Sequence, residues 1–113
     1  MFALHSSLSF YFYRDPCDMR KSFNGLSGLV RNELGKEPAG GDVFVFLNRT
    51  RTHLKLLHWE RGGFVLYYKR LEQGTFTLPV FRNGESRISW PQLVLMVEGI
   101  VVQKSIQKLR YPM

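Results

Sequence analysis

The period of the apolar positions changes twice along the chain, and the changes divide it into elements. Residues 8–13, LSFYFY, are an aromatic run that favours extended backbone, and Asp15-Pro16 ends it, because a strand interior does not tolerate proline. Apolar residues then recur at Met19, Phe23, Leu26, Val30 and Leu34, the spacing of one helical face, with Leu29 widening the stripe. Asp18 is placed to cap this helix and Gly35 to stop it, while Arg20, Lys21, Arg31 and Asn32 look outward. Residues 36–42, KEPAGGD, form a loop.

From Val43 the period shortens to two. VFVFL, LKLLHWE from Leu54 and GFVLYYK from Gly63 read as strands of an antiparallel meander, separated by a polar loop and by Arg61-Gly62-Gly63. Residues 75–82, TFTLPVFR, add a short edge strand, where Pro79 is best tolerated. After the loop NGES comes a second helix. Ser89 and Gln92 have capping-box spacing, Pro91 sits in the first turn, and Leu93, Val94, Met96, Val97 and Ile100 make the buried face. Gly99 ends or weakens that helix, and Val102, Ile106 and Leu109 continue its spacing into a basic tail, residues 103–113, carrying Lys104, Lys108 and Arg110. The expected fold is α+β: a single small domain over residues 1–113, an antiparallel β-meander of four to five strands packed with two main helices, one or both on a single face. Leu26, Val30, Phe44, Phe46, Leu56, Leu66, Val94 and Val97 are the expected core.

Composition narrows the function classes. At 113 residues and 44% hydrophobic, the chain has enough apolar material for one core without staples. Sixteen Lys and Arg against nine Asp and Glu leave a net charge of +7, so polyanions, nucleic acid first, are the expected partners. The single cysteine, Cys17, excludes an intramolecular disulfide and a multi-cysteine zinc site, which fits a reducing cytoplasm. MFALHSSLSFYFY lacks a basic leader region, and no apolar run approaches roughly 18 residues, so neither secretion nor a membrane span is expected.

Strand parity puts Arg49, Arg51, His53 and Lys55 on one side, and Trp59, with Tyr67 and Lys69 on the neighbouring strand, extends that side with rings and charge. Cations interleaved with aromatics suit nucleic acid, phosphates on the former and bases on the latter; the bland reading is a solvated hairpin tip above core aromatics. Arg20-Lys21 also has two readings: a phosphate site at a helix N-terminus, or a structural corner in which one cation pairs with a carboxylate such as Asp15. No histidine among His5, His53 and His58 has a metal-ligand spacing, His53, His58 and Glu60 being an arithmetic match only, and the nine acids are scattered. Cys17 beside Asp18 has the position of an activated thiol but no partner histidine. The expectation is no enzyme, no cofactor and no metal.

Several blocks stand in a specific order: DMRKSF-x-GL from Asp18, FVF-x-NR from Phe44, LK-x-L-x-W from Leu54, GF-x-L-x-YKRLE-x-G-x-F from Gly63, and a closing I-x-x-x-x-L-x-x-x-x-EG-I ending at Ile100. This order resembles the TnpB accessory family of the insertion sequence sixty-six class of bacterial transposons, the product of the second open reading frame. The resemblance implies a non-catalytic helper of transposition, unlike the much longer RNA-guided nuclease that bears the same name in an unrelated transposon family. The net charge of +7 and the cationic positions add the first reading, that this helper binds transposon DNA, with Arg20, Lys21, Arg49, Arg51, Lys55, Trp59 and Lys69 as candidate contacts, beside a separately encoded transposase and the element's other accessory protein. The alternative is an adaptor that assembles the transposase complex without touching DNA.

Overall fold

The computed structural model describes residues 4–81, 84–98 and 100–101. The elements in chain order are β1 (Phe10–Phe12), α1 (Phe23–Asn32), β2 (Val43–Leu47), β3 (His53–Glu60), β4 (Gly63–Arg70), β5 (Thr75–Phe76), β6 (Arg87–Ile88), α2 (Trp90–Glu98) and β7 (Ile100–Val101). Five strands form one sheet in the order β4-β3-β2-β1-β6, and β5 pairs with β7 in a separate ribbon. The fold is a small α+β domain, and β2, β3 and β4 form the antiparallel meander that their period-two pattern predicts. The first strand departs from that plan: β1 lies parallel to β2, Phe10 opposite Val43 and Phe12 opposite Val45, which makes the sheet mixed. A parallel pair cannot be joined by a hairpin, so the chain between them must cross over, and α1 supplies the crossover.

Every residue of β2 is buried. Val43, Val45 and Leu47 face α2 together with Phe10, Phe12, Leu54, Leu56, Leu93, Met96 and Val97. Phe44 and Phe46 face α1 together with Leu26, Val30, Leu57 and Cys17. The helices therefore cover opposite faces of the sheet, not a single face, because a strand apolar at consecutive positions has two sides to bury. Of the expected core, Leu26, Val30, Phe44, Phe46, Leu56 and Val97 are buried, whereas Leu66 and Val94 are half-buried.

Local signals fare unevenly at the element ends. The capping box at α2 forms: the Ser89 amide donates to Gln92 Oε1 at 2.8 Å and the Gln92 amide to Ser89 Oγ at 3.2 Å. Arg61 and Gly62 both have positive φ, 51° and 81°, the two-residue turn that matches the twist of the β3–β4 hairpin. Gly35 takes φ 64° just beyond α1, as a helix stop requires. The start of α1 differs from expectation. It begins at Phe23 with Ser22 at the N-cap, so Asp18 lies outside the helix and caps nothing in it. Phe23, at 42% exposed, is not a core residue. Of residues 75–81, the part of that segment that the structure describes, only Thr75 and Phe76 are strand, and β6, which follows the expected loop NGES, closes the sheet beside β1. The basic tail and its helical continuation lie outside the described residues. Among those described, no helix is long and apolar enough to cross a membrane.

The contrast between Leu26 and Phe23 gives the first prediction. Leu26→Ala should cost about 3 kcal/mol in urea denaturation and Phe23→Ala about 1 kcal/mol or less, although phenylalanine is the larger side chain, because only the leucine leaves a cavity.

Candidate nucleic-acid interface

Strand directions gather the cations at one end of the sheet. β1, β2 and β4 run toward that end and β3 starts from it. Arg14 follows β1, Arg20 and Lys21 stand between β1 and α1, Arg49 and Arg51 lie in the β2–β3 loop, and Arg70 closes β4. A cleft of about 360 Å³ runs between Cys17, Asp18 and Met19 on one side and Asn48, Arg49, Thr50, His53 and Tyr68 on the other. A smaller one, about 190 Å³, brings Arg14, Arg49 and Arg51 together around Leu47, Asn48 and Leu78. Arg20 pairs with Asp18 and Arg70 with Glu72; Lys21, Arg49 and Arg51 have no ion pair among the described residues.

The β2–β3 loop is held by Asn48, a residue whose importance strand parity does not reveal. Its Oδ1 accepts the amides of Thr52 at 2.9 Å and His53 at 3.0 Å, and its Nδ2 reaches Thr50 Oγ1 at 3.2 Å and Thr52 Oγ1 at 3.1 Å. Arg51 consequently sits in the left-handed region, φ 58°, where its carbonyl accepts the Phe76 amide at 2.7 Å. The legible signal is the Asn-x-Thr-x-Thr pattern, since short polar side chains that bond nearby amides mark turns.

The stripe expected from parity does not exist as a surface. Lys55 is 5% exposed: its Nζ donates to the carbonyls of Met19 and Lys21, each at 2.7 Å, and lies 4.6 Å from the centre of the Tyr68 ring. Lys69 faces the other side, opposite Leu54, and its Nζ donates to the Val97 carbonyl at 3.1 Å, a cation on the last turn of α2 where the helix dipole favours one. Tyr67, opposite Leu56, is on that α2 face too. Trp59 packs edge-on against Phe64, 4.9 Å between ring centres, near the β3–β4 turn and so at the far end of the sheet. Loop residues escape strand parity, and register places Lys69 and Tyr67 on the face opposite Lys55. Arg49 and Arg51 remain at the cationic end with Arg20 and Lys21.

The corner at Arg20-Lys21 is built by two charges. Asp18 accepts the Arg20 amide at 2.9 Å and its guanidinium through Nε at 3.1 Å and Nη2 at 2.7 Å; the partner is Asp18, not Asp15. Those hydrogen bonds hold the Asp18 carboxyl well below the usual carboxylate range. Beneath it, Lys55 ties down the carbonyls on either side of Arg20.

Cys17 is buried, and burial pushes its thiol up, with Lys21 and Lys55 pulling less strongly the other way. It is the reverse of an activated thiol. His53 and His58, five residues apart, lie on opposite faces of β3, and among the described residues no three His, Cys, Asp or Glu side chains gather as a metal would need.

Two expected outcomes follow from these buried groups. Lys55→Met keeps the aliphatic stem but strands two carbonyls, so it should cost about 3 kcal/mol and lower Tm by about 15 °C, measured by thermal unfolding. Cys17 should react with iodoacetamide at neutral pH far more slowly in the native protein than in urea, and equal rates would show that the thiol is not shielded.

The family model described as IS66 Orf2 like protein matches residues 8–107. An uncharacterized protein of Sinorhizobium fredii, y4jC, is 35% identical over 75% of this chain and 73% of its own length. A second from the same organism, y4hO, also uncharacterized, is 36% identical over 74% of this chain and 72% of its own. No solved structure matches the chain. A match from Leu8 to Gln107 takes in every described strand and both helices, together with Asp18, Arg20, Asn48 and Lys55, and on that coverage the chain belongs to the IS66 Orf2-like family.

Proposed function

We propose that this protein is a non-catalytic accessory factor of transposition, working in the cytoplasm, that binds the element's DNA through the cationic end of its sheet while a separately encoded transposase does the chemistry. The observation that carries the reading is the convergence of Arg14, Arg49 and Arg51 on two adjoining clefts at one end of the sheet, with Lys21 in the segment that leads into α1 at the same end. A rigid loop supports it: Asn48 fixes the backbone from which Arg49 and Arg51 project, which lowers the ordering cost of meeting a phosphate. Family membership supplies the transposition context. Lys104, Lys108 and Arg110 add three charges to the chain's total and would strengthen the same attraction.

One observation favours the adaptor reading as a second possibility. β4 pairs only with β3 among the described residues, and its other edge is eight residues long, without proline, with Val65 and Tyr68 exposed. Such an edge accepts a strand from another chain unless something covers it.

The salt dependence of DNA binding tests the first reading. Six or so phosphate contacts would cost about three decades of affinity between roughly 50 and 200 mM salt. Lys21→Ser, Arg49→Ser and Arg51→Asn together, asparagine being tolerant of the left-handed backbone at 51, should weaken binding and flatten the salt slope by up to about three units. Lys55 is left intact so that the fold survives. A flat salt response, or no binding of terminal DNA at micromolar protein, rejects the reading. Loss of transposase co-purification with DNA affinity retained would move the surface to the adaptor role.

A further inference from the structure

Arg20 is almost entirely exposed, its side chain 91% accessible, yet its guanidinium has a fixed direction. Asp18 grips the residue at both ends, by its amide and by its Nε and Nη2. Lys55 holds the carbonyls of the residues before and after it from below. Lys55 stabilises the loop, but stability does not account for the Asp18–Arg20 pair above it, because an exposed ion pair gains little where water screens it. What the arrangement does produce is a donor group aimed before any ligand arrives.

The free donors say what kind of ligand. A guanidinium has five N–H groups in a planar fork. Asp18 occupies the Nε–Nη2 edge, which leaves the Nη1–Nη2 edge, two parallel donors that match a pair of acceptors side by side. A phosphate is the poorer match, because the carboxylate already neutralises the guanidinium and repels a second anion; a neutral ligand meets no such penalty. Lys21, Arg49 and Arg51, unpaired among the described residues, are the better phosphate ligands. Within DNA, the neutral pair of adjacent acceptors is guanine O6 and N7, presented in the major groove.

We infer that Arg20, oriented by Asp18, is a specificity-determining residue that reads a guanine edge in the major groove, so that the domain has a base preference on top of charge-driven affinity. The inference rests on the DNA binding proposed above.

The test is selection of short random-sequence duplexes by the full chain, followed by sequencing of the bound pool. Guanine should be enriched at one position. Arg20→Gln should abolish that enrichment, because an amide cannot present two donors side by side, while affinity for the unselected pool barely changes, since Asp18 already neutralises the guanidinium. Asp18→Asn, which frees the guanidinium without removing it, should abolish it too. Substituting 7-deazaguanine, which lacks the N7 acceptor, at the selected position should weaken wild-type binding roughly tenfold, within the range of a bidentate arginine–guanine pair, and should leave Arg20→Gln unaffected. Duplexes bound without guanine preference, enrichment that survives Arg20→Gln, or wild-type indifference to 7-deazaguanine overturns this inference alone. Failure to bind any duplex overturns it together with the proposed function. The 7-deazaguanine measurement uses the unaltered protein, so a variant that fails to fold cannot rescue or sink the idea.

Discussion

The architecture depends on a strand with no polar side. All five residues of β2 are buried, so the sheet must be covered on both faces, and the two helices are committed to opposite layers. The rest of the topology follows from meeting that demand. α1 reaches its layer as the crossover of a parallel β1–β2 pair; α2 reaches the other after β6, which runs antiparallel along the far edge of β1. The crossover also decides where chemistry can sit. It leaves from the end of the sheet at which β1 and β2 both finish, and so the Asp18–Lys21 segment stands beside the β2–β3 loop.

At that end, buried and exposed cations divide the work. Lys55 has given up solvent to close a corner of backbone, and Lys69 closes the last turn of α2. Neither is available to a ligand. Arg49, Arg51 and Lys21 stay outside, while Asp18 and Arg20 form a pair whose value lies in direction more than in charge. Two of the sequence blocks that mark the family, the one beginning at Asp18 and the one containing Lys55, thus meet in space through a pair of hydrogen bonds. A substitution at Lys55 would disturb Arg20 without touching it.

Several errors of parity reasoning have one cause. Alternation assigns faces only within a strand whose register is known, and the β2–β3 loop breaks it: Arg49 and Arg51 belong to a turn organised by Asn48, not to the pleat of β3. Lys55 itself is on the predicted face, but α1 and the segment before it cover that face, so a side chain read as outward became a buried anchor. Phe23 illustrates the converse. It fits the helical spacing, yet as the first residue of α1 it lies beyond the sheet's cover.

The sequence by itself determined what depends on near neighbours. The meander, the capping box at Ser89 and Gln92, the glycine stop after α1 and the two-residue turn at Arg61-Gly62 are set by local periodicity and turn chemistry, energies decided within a few residues. The blocks that carry the family resemblance were legible for the same reason, being contiguous. Tertiary structure alone decided the parallel pairing of β1, the separation of the helices onto two faces, and which cations face water. Those outcomes depend on contacts between residues far apart in the chain, where the burial of one face is settled by what packs against it, and a pattern of side chains carries no record of its partner.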